Sequence, residues 1–115
     1  MSSKLVAPHG GKGLVCALLE GSAREAELKK AAGLKKVEIS ARAKGDLIML
    51  GIGGFSPLSG FMTKADWKGV CENFQLADGT FWPVPITLDV SKADADGIKV
   101  GDEIALVRNG EIFAT

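Results

Sequence analysis

Apolar positions along the chain fall into several short patterns. After Thr63, Trp67, Val70, Cys71 and Phe74 recur at i, i+3, i+4 and i+7, one apolar stripe of a helix. Thr63 and Asp66 stand before it at the spacing of a cap. The segment 81–90, "FWPVPITLDV", alternates instead. Trp82, Val84, Ile86, Leu88 and Val90 face one way, which predicts a strand, and Pro83 and Pro85 confine its first half to an edge or a loop border. "GLVCALL" (13–19) is an apolar run that fits a strand or a buried helix. A helix is predicted over 23–32, with Ser22 and Glu25 as a capping box, Lys29 and Lys30 in the last turn, and a left-handed Gly33 as its stop. "VEIS" (37–40) reads as a strand. Leu47–Leu50 fits a strand or, preferably, the end of a helix capped by Ser40 and closed by Gly51 or Gly53, although Gly45 weakens that helix by about 1 kcal/mol. Asn109-Gly110 predicts a type I′ hairpin pairing Arg108 with Glu111, Val107 with Ile112 and Leu106 with Phe113. Helices first and strands last give an α+β expectation, with an antiparallel sheet or partial barrel.

Composition narrows the function classes. The chain has 115 residues, 46% hydrophobic and 24% charged, which allows one globular domain. Fourteen basic and fourteen acidic residues cancel. That balance argues against nucleic acid or an anionic membrane as the main partner. The basic residues Arg24, Lys29, Lys30, Lys35 and Lys36 are interleaved with Glu20, Glu25, Glu27 and Glu38, as on a solvated helix face. No apolar run approaches the roughly 20 residues of a membrane span, and the N-terminus carries no signal-type pattern. Cys16 and Cys71, far apart and in apolar surroundings, are expected to be reduced core thiols of a cytoplasmic protein.

Candidate chemistry is sparse. His9, in "APHGGKG", stands beside glycines that do not match a P-loop, so a tight turn is the expectation. "GIGGFS" (51–56) has Ser56 where a dinucleotide loop needs its third glycine. Lys92, Asp94, Asp96, Gly97 and Glu103 follow the spacing of a calcium loop, but Lys92 places a cation at the first ligand position. A charged turn between strands is expected there. No catalytic, cofactor-binding or metal residue is assigned.

Two segments carry a family resemblance. "GGFSPLSGFM" (53–62) and "DGTFWPVPITLDV" (78–90) resemble the N-terminal domain of ATP sulfurylase (sulfate adenylyltransferase), with "PHGG" (8–11) and "VGDEIAL" (100–106) in matching order. The resemblance implies a PUA-like, β-rich pseudo-barrel with flanking helices over 1–115. It implies a separate α/β nucleotidyltransferase domain for ATP + sulfate ⇌ adenosine 5′-phosphosulfate + pyrophosphate, with Mg2+ on the ATP, and a homo-oligomer. The catalytic motifs of that family, Q-x-R-N and H-x-x-H, have no match here. Gln75 is followed by Leu76, Ala77 and Asp78, and His9 has no partner histidine. The strand after Asn109-Gly110 runs out at Thr115, so the domain reads as incomplete. An independent RNA-binding PUA-like module and a structural interaction domain without an enzyme are the alternatives.

The segment 53–62 combines loop residues with four large apolar side chains. Pro57 is expected at the second position of a type I turn, with Gly60 reversing the chain. Phe55, Leu58, Phe61 and Met62 would then form one cluster, in the domain's own core or against a catalytic domain.

Overall fold

The computed structural model describes residues 6–11 and 13–115. In chain order the elements are α1 (Gly21–Ala32), β1 (Lys35–Glu38), α2 (Ala41–Gly51), α3 (Lys64–Asn73), α4 (Lys92–Asp96), β2 (Ile104–Arg108) and β3 (Glu111–Ala114). Two compact units result: the chain up to Ala17 with Ile48–Thr87, and Leu18–Leu47 with Leu88–Thr115.

The second unit holds a three-stranded sheet of order β1-β2-β3. β2 pairs antiparallel with β3, as the hairpin signal requires, but β1 runs parallel to β2, with Val37 beside Leu106. The sheet is therefore mixed, not antiparallel, and α+β holds. Asn109 and Gly110 take φ of 51° and 80°, the positive pair of a type I′ turn. Arg108 faces Glu111 and Val107 faces Ile112 as predicted. The third pair does not form. An irregularity between Leu106 and Val107 brings Ala114, not Phe113, opposite Leu106, as a bulge does. Phe113 instead lies beneath the Lys44 ammonium, 4.9 Å from its ring centre.

α1 reaches this sheet through small side chains. Ala31 and Ala105 are buried with Val107, and Leu34 and Ile112 pack against them. Ala31 is the buried residue of α1, consistent with a solvated face elsewhere. Its expected caps are not the ones used. Glu20 is the N-cap and makes no side-chain cap bond, because the helix already begins at Gly21 and takes Ser22 inside. Gly33 ends it at φ −92°, right-handed, with its N–H on the Lys30 carbonyl at 3.1 Å. The stretch 92–103 is not a plain turn either: Ser91 Oγ accepts the Asp94 N–H at 3.1 Å and starts α4, which Gly97 closes.

In the first unit the core is Leu50, Leu58, Val70, Leu76 and Ile86, with Phe55, Phe61, Met62 and Trp82 packed against it. α2 and α3 start where local chemistry predicts. Ser40 Oγ accepts the Ala43 N–H at 3.1 Å, and Thr63 Oγ1 accepts the Asp66 N–H at 3.3 Å. The apolar stripe of α3 is not buried as a stripe. Val70 is buried, whereas Trp67, Cys71 and Phe74 are exposed. At Phe74 the backbone turns left-handed, φ 56°, which takes that side chain out of helical phase. Cys16 is exposed too, so neither cysteine is a core thiol.

The segment 81–90 is not a strand. Phe81 forms one isolated bridge with Gln75, and the Trp82 N–H reaches the Phe74 carbonyl at 2.8 Å. Pro83 and Pro85 then offer no N–H, and the ladder stops. Ile86 is buried, but Val84 is 53% exposed, so the alternation does not carry through. The run 13–19 is neither strand nor helix, and Leu14, Leu18 and Leu19 are exposed.

Gly69 marks the tightest packing of α3. A Cβ there would overlap the backbone carbonyl oxygen of Gln75. Ala is favoured over Gly by about 1 kcal/mol inside a helix, yet the clash is with backbone and has no rotamer to relieve it. Gly69→Ala is expected to lower stability by about 1–3 kcal/mol, read as a drop in the urea midpoint. A rise would show that the α3 turn yields freely.

Candidate functional site

Residues 53–62 form a corner around a buried hydroxyl. Ser56 is 7% exposed. Its Oγ donates to the Gly53 carbonyl at 2.7 Å and accepts the Val15 N–H at 2.8 Å. The Leu58 N–H closes a turn onto the Phe55 carbonyl at 2.9 Å, and the Ser56–Pro57 peptide is cis. Pro57 thus occupies the third turn position, as in a type VI turn, not the second position of a type I turn. Gly53, at φ 82°, is required where it stands: a Cβ there would come within 2.7 Å of the Leu14 side chain. Gly60 carries no positive φ, so the reversal does not depend on it.

The corner turns its apolar side chains inward. Leu58 joins the core, and Phe55, Phe61 and Met62 pack on it. Of the two packing alternatives, this is the one within the unit's own core. The Met62 N–H bonds the Ile86 carbonyl at 2.9 Å, tying the loop to the tryptophan-proline segment. Phe55 meets Trp82 edge to face, centroids 6.1 Å apart at 89°. His9 completes the cluster. Its Nε2–H donates to the Phe81 carbonyl at 2.6 Å, and its ring lies 6.0 Å from that of Trp82. The turn expected around His9 is present, with the Gly11 N–H on the Pro8 carbonyl at 3.3 Å. The Trp82 Nε1 is buried with no hydrogen-bond partner among the described residues.

Other candidate groups are engaged elsewhere. Lys30 Nζ lies 2.7 Å from a Glu103 carboxylate oxygen, and that hydrogen bond raises the lysine pKa. The pair stabilises below the ordinary lysine range and fades as pH rises through the raised value; both groups face solvent, so the effect is small. Lys35 Nζ donates to the Asp94 carbonyl at 3.2 Å, so a lysine occupies the ground of the calcium-like loop. No group of three His, Cys, Asp or Glu side chains that could hold a metal occurs among the described residues. Gly51 ends a helix and does not follow a strand, the reverse of a dinucleotide loop. Arg42 pairs with Asp89 at 3.0 Å, and Arg108 donates to the Ile39 carbonyl at 3.0 Å.

Sequence reasoning found the 53–62 cluster but missed its centre. In the sequence Ser56 stands out only as the residue that breaks a dinucleotide-loop pattern. A serine between a phenylalanine and a proline, amid large apolar side chains, was the available signal. The aromatic contacts of His9 left no trace in the local pattern.

Taken together, these features define a small α+β domain whose most elaborate construction is a packing corner. Residues 6–115 match the PUA-like domain family, and the chain belongs to that family. It is 76% identical over 113 residues to the sulfate adenylyltransferase of Desulfovibrio desulfuricans, covering 98% of this chain and 27% of that protein. Against the sulfate adenylyltransferase of Thiobacillus denitrificans it is 55% identical over 115 residues, 98% of this chain and 28% of that protein. Among solved structures, a hexameric APS kinase from Thiobacillus denitrificans superposes with a TM-score of 0.82 at 38% identity, over 94% of this chain and 22% of that one. The chain thus spans about a quarter of the length of these relatives.

Ser56→Ala would leave the Val15 N–H and the Gly53 carbonyl without their shared partner. It is expected to cost about 1–3 kcal/mol, measured by equilibrium denaturation; an unchanged midpoint would remove the hydroxyl from its central role. Phe55 is only half-buried. Phe55→Ala is therefore expected to cost less than the about 3–5 kcal/mol of a fully buried ring, and a loss in that full range would show a deeper burial than the structure has.

Proposed function

We propose that this chain is the N-terminal, non-catalytic PUA-like part of a sulfate adenylyltransferase, the enzyme for ATP + sulfate ⇌ adenosine 5′-phosphosulfate + pyrophosphate. The observation that carries this reading is the 76% identity to the Desulfovibrio desulfuricans enzyme along 98% of the chain, together with coverage of only 27% of that protein. Chemistry supports the division of labour. Attack of sulfate on a phosphoanhydride requires cations and donors placed around the phosphates. Here Arg42 and Arg108 are already bound to Asp89 and to the Ile39 carbonyl.

ATP and sulfate, or the products in the reverse direction, belong on this reading to an α/β nucleotidyltransferase domain elsewhere in the polypeptide. The Mg2+ that accompanies ATP goes with it on this reading, since that ion is held largely by the nucleotide's phosphates. The role left to residues 1–115 is to scaffold that domain. A homo-oligomer is supported by the hexameric relative of the same fold. A cytoplasmic location accords with two free cysteines, and no helix among the described residues is long and apolar enough to cross a membrane.

Residues 1–115 alone are expected to show no sulfate-dependent pyrophosphate release, while the longer polypeptide turns over. Activity of the short chain above background would overturn the non-catalytic assignment. In a filter-binding titration at low salt, the same chain is expected to show no micromolar affinity for RNA. Tight binding with a steep salt slope would favour a nucleic-acid module.

A further inference from the structure

We propose that residues 8–11 form a releasable strap, latched by the His9 imidazole to the Phe81 carbonyl, whose opening admits water to the buried indole N–H of Trp82. The inference concerns a local opening of the first unit and does not depend on the catalytic reading.

The strap is a turn in its own right, closed by the Gly11 N–H on the Pro8 carbonyl at 3.3 Å. It can therefore move as a piece without losing its internal bond. Its outer side is solvent: Gly10 and Gly11 are exposed, and Val6 before it is 93% exposed. Nothing lies within 4 Å of a Cβ built on Gly11 or Gly13, so its exit is not packed in place. Two features hold it down. One is the 2.6 Å hydrogen bond from His9 to Phe81, with the ring against Phe81 and Trp82. The other is a close fit at Gly10, where a Cβ would come within 2.9 Å of the Pro57 ring.

The closed form carries an opposing term. The Trp82 Nε1–H is buried with no acceptor among the described residues, and a buried donor left unpaired carries a desolvation penalty that water would relieve. One latch hydrogen bond on a solvent-facing segment thus works against one unsatisfied donor on the ring that His9 lies against. Terms of comparable size and opposite sign make local opening accessible without unfolding the core of Leu50, Leu58, Val70, Leu76 and Ile86.

Hydrogen exchange of the Trp82 indole N–H tests this, followed by NMR in the full-length protein labelled with 15N-tryptophan. The backbone amide of Val70 is the reference for global opening. The indole proton is expected to exchange faster than the Val70 amide. His9→Ala is expected to accelerate it a further 5–10-fold, about the factor carried by one neutral hydrogen bond, with Val70 unchanged. Gly10→Ala, which crowds Pro57 and strains the positive-φ backbone beside His9, is expected to accelerate the same proton. If the indole exchanges only at the Val70 rate, there is no local opening and the proposal fails. It fails equally if neither variant accelerates the indole, or if both positions accelerate together.

Discussion

The hydroxyl of Ser56 is the constraint from which the first unit is built. A buried oxygen that both donates and accepts fixes two partners at once, here the Gly53 carbonyl and the Val15 N–H. Satisfying it sets the direction of the chain on both sides of the corner. Upstream, the residues after α2 must turn sharply, which Gly53 does at φ 82°. The segment around Val15 is then drawn along this corner, where the Ala17 N–H also finds the Gly51 carbonyl at 2.9 Å. Downstream, Leu58 enters the core and Phe55, Phe61 and Met62 close over it. A loop can supply much of a core only if its backbone polar groups are met inside, and this corner meets them with one side chain and three short turns.

What was legible in the sequence was what local hydrogen bonding decides. The Thr63 and Ser40 caps and the Asn109-Gly110 turn each depend on a few neighbouring residues, and each stands as expected. The Ser22 and Glu25 pair shows the limit of the same logic. Its spacing suits a capping box, but the helix begins two residues early and the serine lands inside it. Burial was far less legible. The α3 stripe and the alternation of 81–90 describe which side chains could share a face, not whether anything covers that face. Val70 and Ile86 are covered because the 53–62 corner reaches them; Trp67 and Val84 are not. The slip of one residue in β3 is of the same kind, since a bulge between Leu106 and Val107 has no turn-level signature.

The family resemblance located the important segments without explaining them. "GGFSPLSGFM" and "FWPVP" are specific because each residue type answers a packing demand. Gly53 must lack a side chain beside Leu14, Ser56 must bridge two backbone groups, and Trp82 must meet Phe55 edge to face. None of these demands is catalytic. A sequence motif can therefore mark how a domain packs, and family membership follows from such packing residues as readily as from reactive ones.

The two units solve the burial problem with different mixes of side chains. In the second, Ala31 and Ala105 bring α1 and β2 together through small side chains, while Val37, Ile39 and Leu106 of the same unit bury larger apolar side chains. In the first, leucines, aromatic rings and a methionine fill the space between a loop and two helix ends. Burial of large side chains contributes roughly 1.5–3 kcal/mol each, against under 1 kcal/mol for a methyl group. On that scale Val37, Ile39, Leu106 and Val107 of the sheet unit contribute alongside Leu50, Leu58, Val70, Leu76 and Ile86 of the unit held by Ser56. The sheet unit adds to its buried side chains the ladder of β1, β2 and β3 and the hairpin at Asn109-Gly110. Damage should therefore spread differently in the two: a lost side chain at the corner removes contacts from several segments at once, whereas an exposed change on α1 leaves the ladder of β1, β2 and β3 intact.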